Sequence, residues 1–379
     1  MTAVAVDSFG FDAERQRLAR ELFTTRFRLG VLRSAGFGIA ILVFLLGGVS
    51  AALRDLAGDG PWWTVFAYFA VLYFGLWFAG LPFAVMSHRL EVRYGLSRQT
   101  WKGWALDDAK SLAFGFGLTL VAVEVLYWLL REFPTVWWLL VWLLGLGVSV
   151  AASFVAPVLF LRIFYKSNRL ESPELEARLR TLADRAGMRV LGVHVVQSSV
   201  KSSRSNAALA GAGRTRRIVL TDTLLKTHGP DEIETILAHE LAHQKHRDPA
   251  IGFATFILTS FVSLAVLAAV LPWAVGVLGL RGIADVAGLP VLMLATGILS
   301  LAFDPLERAL SRRRESRADR TALEITGKPE AFASAMVKLH DENLSLARPP
   351  RLIEILLMTH PAAWRRVSAA RAFPGRALK

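Results

Sequence analysis

Two histidines and a glutamate lie where they could bind and use a metal ion. The residues from His239 to His243 read H-E-L-A-H. Gly229-Pro230 and the acids after it predict a helix that begins there and ends before Pro249. Residues four apart share one helical face, so His239 and His243 can bind one Zn²⁺ per chain while Glu240 flanks its open coordination position. This H-E-x-x-H spacing is typical of metalloproteases, in which the glutamate is the general base.

A catalytic zinc site needs a third protein ligand, and the sequence offers two candidates. His246 shares the face of the two histidines but lies about 10 Å along the helix from His239, so we expect a surface or supporting role. Glu315 and Asp319 are four residues apart. We predict that Glu315 completes the ligand set and that Asp319 accepts the second N–H of a ligand imidazole. The alternative is that both acids neutralise the arginines around them.

The elements that must position these residues include long apolar helices. The chain has 379 residues, of which 54% are hydrophobic and 20% charged, and no cysteine, which excludes a disordered or disulfide-based fold. Six stretches reach the ~20 apolar residues that a bilayer requires. They are Ser34–Leu53, Gly60–Ser87, Ser111–Leu130, Phe133–Leu161, Pro249–Leu280 and Val286–Phe303.

Basic residues fix the expected orientation. Only three of the 44 lie in the loops that an even-numbered bundle places on one side, namely Arg54, Arg131 and Arg281. Short positive loops stay in the cytoplasm, so both termini, the loop 88–110 and the segment 162–248 are predicted to be cytoplasmic, with the active site there. The net charge of +13 is explained by this topology and by contact with membrane lipids. No nucleic-acid partner is expected.

The predicted fold is mostly α: a polytopic membrane helical bundle or chamber with a cytoplasmic α+β, gluzincin-like zinc protease domain. The cytoplasmic strands are expected at Arg189–Gln197, Ala207–Gly211 and Arg217–Thr221, with a helix over Pro173–Gly187. The expected order is an amphipathic cytoplasmic helix (1–33), four spans (34–161), the protease domain (162–248), two spans (249–303) and a cytoplasmic part with the third zinc ligand (304–379).

Glu124 is the only ionisable residue inside a predicted span. It could face a water-filled chamber or serve helix packing, and the two interpretations are equally favoured. The same residue motivates a different class of function, a transporter, although the sequence shows no inverted repeat. A metal-dependent membrane scaffold without turnover is a third hypothesis.

Further motifs resemble the type I CAAX prenyl proteases, which are integral-membrane gluzincin metallopeptidases. The segment from Glu91 to Thr100 is similar to the family's E-x-x-Y-G-x-x-x-Q-T pattern. Ser205-Asn206-Ala207 with Gly211, and Thr359-His360-Pro361 with Arg366, match other family segments. The H-E-x-x-H motif with the glutamate and aspartate of the sixth span's continuation completes the resemblance.

The resemblance implies an intramembrane chamber with zinc at its cytoplasmic end. It also implies that Asn206, His360 and Arg366 line the substrate or transition-state site, with His360 or Arg366 as a donor to the oxyanion. The resemblance implies that the substrate is a peptide or protein, which can be lipidated or embedded in the membrane. The alternative is a quality-control peptidase of the same clan. The family's first membrane helix and the aromatic residues expected at 208–210 are missing here.

The short apolar run that includes Ala207 and ends at Gly211 could bind substrate directly. Gly211 and Gly213 would let another backbone approach closely. As an edge strand it could pair with an extended peptide, with Asn206 anchoring one end. The alternative is an internal strand that is paired on both sides.

Overall fold

The computed structural model describes residues 6–164, 166–211 and 216–374, without the side chains of 154–164. Its helices are α1 (Ala13–Leu46), α2 (Val49–Leu56), α3 (Trp63–Arg93), α4 (Trp101–Glu132), α5 (Trp137–Phe164), α6 (Pro173–Arg185), α7 (Asp222–Thr227), α8 (Pro230–Lys245), α9 (Asp248–Leu278), α10 (Leu289–Thr326), α11 (Pro329–Glu342), α12 (Arg351–Leu357) and α13 (Ala363–Arg371). Its strands are β1 (Ser167–Arg169), β2 (Val193–Val196), β3 (Ala207–Ala210) and β4 (Arg217–Thr221).

Within the described residues, five helices are long and apolar enough to cross a membrane: α1, α3, α4, α9 and the helix formed by α10 with the 3₁₀ turn before it. The predicted fourth span, Phe133–Leu161, corresponds to α5. Its described apolar part, Trp137–Ser153, is shorter than a full span, and the remaining side chains lie outside the description. The fourth span, and with it the total of six, therefore stays a prediction.

The predicted surface helix and the start of the first span lie on one continuous helix, so residue 33 is not the end of a helix. α1 has 34 residues, about 51 Å, and has no interruption near Ser34. It ends at Gly47 and Gly48 because Gly48 adopts φ 74°, a left-handed conformation that terminates a helix. Residues after Gly48 form the separate short helix α2, which the sequence patterns did not predict.

The predicted sixth span and the cytoplasmic C-terminal part are also joined, by α10. This helix has 38 residues and continues past residue 303, where the sequence patterns placed a boundary, and through Pro305. Its second half consists mainly of Leu, Arg, Glu and Ala, which favour helix strongly enough to offset one missing hydrogen bond. Glu315 and Asp319 are therefore held rigidly by the same helix that crosses the membrane.

The polar region outside the long apolar helices contains a four-stranded sheet in the order β1-β2-β4-β3. β2 and β4 are parallel, whereas β3 runs antiparallel to β4. The three predicted strand segments are present. β1 was not predicted, because its three exposed polar residues carry no strand pattern. β3 pairs with β4 alone among the described strands, which makes it an edge strand.

The register shows which backbone groups β3 presents at its open edge. Thr221 N–H donates to the Asn206 carbonyl (3.0 Å), and Ile218 N–H donates away from β3 to the Gly192 carbonyl of the neighbouring strand segment (3.0 Å). Alternation along an antiparallel ladder then turns the N–H groups of Ala208 and Ala210 toward β4. The N–H of Leu209 faces the open edge.

The hydrophobic core of the polar region lies between the sheet and helices α8, α10, α11 and α13. α8 contributes Ile233, Ile236, Leu237 and Leu241 to it. These side chains recur at helical spacing, so burying them orients the helix with its histidines on a defined side. The second large cluster packs α3, α4, α9 and the start of α10 together.

Candidate metal centre

Helix α8 is fixed at both ends. Gly229 N–H donates to the Glu232 carboxylate at the N-terminus (2.8 Å), and Lys338 pairs with the same carboxylate (2.8 Å). At the other end the chain leaves the helix through Arg247, whose φ of 56° is left-handed, and α9 begins at Asp248, directly before Pro249. The predicted bounds of this helix are confirmed, and its histidines occupy its last turns.

Packing of α10 against α8 brings Glu315 to the two histidines. The Nε2 atoms of His239 and His243 are 3.1 Å apart. Glu315 Oε2 lies 3.2 Å from His239 Nε2, and Glu315 Oε1 lies 3.4 Å from His243 Nε2. Ligands about 2.1 Å from a tetrahedral zinc ion are about 3.4 Å from one another, so this donor set fits Zn²⁺. Two imidazoles and one carboxylate also leave an open fourth position.

Asp319 and Arg366 hold His239. Asp319 Oδ1 lies 2.9 Å from His239 Nδ1. The guanidinium of Arg366 donates two hydrogen bonds to the Asp319 carboxylate, at 2.8 and 2.5 Å. Burial favours the neutral imidazole, but the hydrogen bonds to Asp319 and Glu315 raise the pKa of His239 to about 9. The structure thus places Arg366 behind Asp319, whereas the resemblance predicted that it lines the transition-state site.

Asp248 contacts the Nδ1 atom of His243, just as Asp319 contacts the Nδ1 atom of His239. His243 Nδ1 donates to Asp248 Oδ2 (2.9 Å), and Arg317 pairs with the other carboxylate oxygen. Asp248 is buried, with 5% of its surface exposed. The sequence patterns did not single it out. A signal was available, because Asp248 follows His243 by five residues and begins α9 directly before a proline.

Glu240 and His360 lie close to the ligand set. Glu240 makes no side-chain hydrogen bond or ion pair with the described residues, and burial raises the pKa of its carboxyl group. His360 Nε2 lies 3.3 Å from Glu315 Oε2, and its Nδ1 is 2.9 Å from the Thr359 hydroxyl. Partial burial lowers the pKa of His360. Both side chains are therefore next to the space that a reacting group would enter.

His246 is turned away from the ligand set. Its Nε2 lies 2.8 Å from the hydroxyl of Thr321 on α10, and it is not among the ligand atoms that lie within 4.8 Å of one another. The structure brings His239, His243 and Glu315 together instead.

The predicted substrate-binding residues lie in β3 or directly beside it, and β3 packs on α8. Asn206 is exposed, and its Oδ1 accepts the Ala207 N–H (2.9 Å). Ala207 is buried against the sheet. Gly211 ends the strand with φ 87°, a conformation that favours glycine. Gly213 lies outside the described residues.

Comparisons with known proteins agree with this geometry. The model of peptidase family M48 matches residues 169–373, and the model of the CAAX prenyl protease N-terminal region, with five membrane helices, matches residues 10–166. The chain belongs to peptidase family M48. It is a multi-pass membrane metallopeptidase of the CAAX prenyl protease type.

Individual relatives support the assignment. An uncharacterized metalloprotease of Bacillus subtilis, YhfN, is 32% identical over 294 residues, which cover 76% of this chain and 69% of that protein. CAAX prenyl protease 1 of Saccharomyces cerevisiae is 36% identical over 170 residues, 43% of this chain and 36% of its own length. The crystal structure of S. mikatae Ste24p has the same fold, with a TM-score of 0.86, 22% identity and coverage of 97% and 92% of the two chains. Family membership favours the peptidase over the transporter and scaffold hypotheses.

Proposed function

We propose that the chain is a zinc-dependent endopeptidase that cleaves peptide bonds at the cytoplasmic face of the membrane. The main support is that the ligand atoms of His239, His243 and Glu315 lie within 4.8 Å of one another. Bound there, zinc would act as a Lewis acid that activates water and stabilises negative charge on the carbonyl oxygen. The carboxylate donor and the two imidazoles are ligands that zinc prefers.

Glu240 is proposed as the general base. Its carboxylate accepts the proton of the attacking water and returns it to the nitrogen of the leaving amine. Because burial raises its pKa, the carboxylate is a stronger base than an exposed glutamate and holds the proton long enough to return it. No neighbouring donor in the described residues competes for this carboxylate.

His360 is proposed as a donor to the developing oxyanion. It approaches the ligand set from the loop before α13, on the same side as Glu315 Oε2. Its Nδ1 contacts the Thr359 hydroxyl, which helps to fix the ring so that Nε2 can point into the site. Arg366 is assigned instead to positioning, since it holds Asp319 and through it the His239 ring.

β3 is proposed to bind the substrate backbone. Its open edge presents the N–H of Leu209, and the strand packs on the helix that carries His239. A peptide that pairs with this edge gains main-chain hydrogen bonds without needing a particular side chain. The exposed Asn206 amide at the start of the strand is placed to anchor one end of such a peptide, so Asn206→Ala should lower kcat/KM by about 10-fold.

The substrate class is proposed to be membrane-attached polypeptides, including prenylated ones. Support comes from α10, which joins a membrane-crossing segment directly to the residue that supplies the third ligand. A substrate held in or on the bilayer would therefore reach the site without leaving the membrane. The name of the yeast relative also points to prenylated peptides.

A matched pair of peptides tests this substrate class. The purified protein in mild detergent is incubated with a C-terminal cysteine-containing peptide in prenylated and unprenylated forms. We expect zinc-dependent cleavage of the prenylated peptide with the higher kcat/KM, and none in Glu240→Gln. Equal cleavage of both peptides would contradict prenyl recognition and favour the quality-control alternative. No cleavage of either peptide would contradict the proposed activity.

Cysteine labelling tests the proposed orientation, since the sequence contains no native cysteine. Glu132→Cys, at the end of α4, and Val200→Cys, in the protease domain, both substitute exposed residues. We expect an impermeant thiol reagent added to intact cells to label the first variant and not the second. The reverse pattern would refute the cytoplasmic location.

A further inference from the structure

The loop between α3 and α4 pairs with the chain that leads into β3, and the peptidase chemistry proposed above does not use this contact. Ser97 and Ser202 form an antiparallel bridge, and the Arg98 N–H donates to the Lys201 carbonyl (3.0 Å). Both α3 and α4 are long and apolar enough to cross a membrane. The connection between two membrane helices is therefore bonded directly to residues 201–204, which we call the anchor segment.

The α3–α4 loop is held in place by a buried leucine. Leu96 is 2% exposed and packs in one cluster with Leu22 of α1 and with Leu344, which follows α11. Its carbonyl accepts the Ser203 N–H (3.2 Å) of the anchor segment. Burial of Leu96 therefore gives the loop a fixed position from which it contacts the anchor segment.

Two carboxylates at the polar ends of α3 and α4 form ion pairs with the anchor segment. Glu91 Oε1 on α3 accepts hydrogen bonds from Arg204 Nη2 (3.0 Å) and from Arg26 Nη2 of α1 (2.7 Å). Asp107 Oδ2 on α4 accepts a hydrogen bond from Lys201 Nζ (2.5 Å). Each pair is partly exposed, so neither contributes much to the free energy of unfolding by itself. The two pairs restrain both ends of the anchor segment, because Lys201 is its first residue and Arg204 its last.

The anchor segment is only two residues away from β3, so its position decides where the strand begins. The Ser205 hydroxyl donates to the Glu342 carboxylate (2.8 Å), and the Asn206 N–H donates to the Thr221 hydroxyl (2.9 Å). Arg204 is at most about 10 Å from the first residue of the strand, since three extended residues span that distance. These bonds leave the connection little freedom to absorb a displacement of the anchor segment.

β3 needs such a restraint if it is to hold a peptide over the metal. Three of its four residues are alanine, and a peptide on its open edge bonds to the main chain alone. A misplacement of about 1 Å at the reacting group can cost about 10²-fold in rate. The distance between the strand and the metal centre therefore has to be set by groups outside β3.

We propose that Glu91 and Asp107 are positioning residues, which hold β3 where a paired peptide presents its scissile carbonyl to the metal. They act through the anchor segment, since neither carboxylate belongs to the ligand set. This role rests on the proposed binding of substrate along β3. It makes α3 and α4 part of the apparatus that places the substrate, whereas α10 places the third ligand.

Peptides that contain one backbone ester test this role. An ester in place of an amide removes a single N–H donor, and the series places it at each bond except the scissile one. The zinc-loaded wild type in detergent should cleave at least one ester analogue with a kcat/KM about 10-fold below that of the all-amide peptide, which identifies the N–H that bonds to β3. The double variant Glu91→Ala/Asp107→Ala should lower kcat/KM by about 10-fold for the all-amide peptide. It should lower kcat/KM by less than about 2-fold for this ester analogue, because the contact is already lost.

Glu21→Ala is the matched control, since Glu21 is a carboxylate on α1 that pairs with Arg17 (2.5 Å) and contacts no residue of the anchor segment. It should cleave both peptides as the wild type does. Equal kcat/KM in the double variant and in Glu21→Ala would overturn the proposal. An equal loss for the amide and ester peptides would indicate a merely structural role and would overturn it as well.

If the double variant does not fold, Glu91→Gln is measured in the same way, because it removes the charge and keeps the shape of the side chain. Its kcat/KM should fall by about 3-fold for the all-amide peptide alone, and an unchanged value would refute the role of Glu91. The wild type separates these outcomes from a failure of the proposed function. If it cleaves every ester analogue like the all-amide peptide, the substrate does not pair with β3, which refutes that binding mode and this role together.

Discussion

Removing the Asp248 carboxylate should weaken zinc binding even though Asp248 is not a ligand. Its Oδ2 accepts the His243 Nδ1–H at 2.9 Å, and Arg317 holds the other oxygen. This bond keeps His243 in the tautomer that leaves Nε2 free for the metal and makes the ring a better donor. Loss of such a contact typically costs 10-fold to 100-fold in metal affinity, or about 1.4 to 2.7 kcal/mol.

The assay is competition for zinc between the purified protein and a chromogenic chelator at fixed pH. Asp248→Ala should raise the zinc Kd within that range, and Asp248→Asn, which keeps an acceptor oxygen but not the charge, should have a smaller effect. Asp319→Ala should weaken binding by a similar factor through His239. Because the two aspartates act on different imidazoles, the double variant should lose about the product of the single effects, 10² to 10⁴.

Glu324→Gln is the control, since Glu324 lies on α10 and pairs with Arg320 but contacts no imidazole. Its zinc Kd should equal that of the wild type. Asp248→Ala also removes an acid from the first turn of α9, so thermal unfolding of each metal-free variant is measured in parallel. A folded Asp248→Ala protein with wild-type zinc affinity would refute this account of how His243 is oriented.

Three further outcomes are expected. Glu315→Ala should lose zinc and His246→Ala should keep it, as measured by metal content after gel filtration; the opposite result would overturn the choice of third ligand. Leu209→Pro should lower kcat/KM by about 10-fold with zinc retained, because it removes the N–H at the open edge of β3. Ala208→Pro should instead destabilise the fold, because it removes an N–H that bonds to β4. Unaltered kinetics in a folded Leu209→Pro variant would exclude substrate pairing with this edge. Burial lowers the pKa of His340 to about 4. The unfolded chain therefore binds a proton at this residue at higher pH than the folded chain does, and the free energy of unfolding falls by up to about 3 kcal/mol between pH 6.5 and pH 4. His340→Gln should flatten this part of the pH profile in chemical denaturation, and an unchanged profile would contradict the role given to His340.

The metal ligands could be predicted from the sequence because their geometry is local. His239 and His243 lie one helical turn apart, and so do Glu315 and Asp319, so each pair needs only helix formation to share a face. The joining of the two pairs depends on α8 and α10 packing together, which the H-E-x-x-H motif makes plausible but does not specify. The same limit explains why Asp248 was missed.

Arg366 shows what a resemblance can and cannot supply. The resemblance indicated that Arg366 is functional, but it did not indicate which neighbour the guanidinium contacts. In the structure the guanidinium donates hydrogen bonds to Asp319. β3 is a similar case. Its existence follows from a short apolar run, whereas its place at the sheet edge depends on the strand order β1-β2-β4-β3, which no local pattern encodes.

Helix boundaries were the weakest predictions. Apolar runs show where a membrane would be crossed, but α1 and α10 both extend well beyond their apolar runs. Polar residues that favour helix continue each element into the aqueous region, so the change in composition at residues 33 and 303 does not mark a change in structure. For α10 this continuity has a functional consequence, because it ties the third ligand to the membrane-crossing helix.

The most direct test of the central proposal measures zinc content and peptide hydrolysis side by side in the wild type and in Glu240→Gln. Glu240 contacts none of the ligand atoms through a hydrogen bond, so the variant should bind one zinc per chain, as the wild type does. Its hydrolysis rate should fall by about 10² to 10⁴ because the general base is lost. Near-wild-type hydrolysis in the zinc-loaded variant would contradict the proposed mechanism.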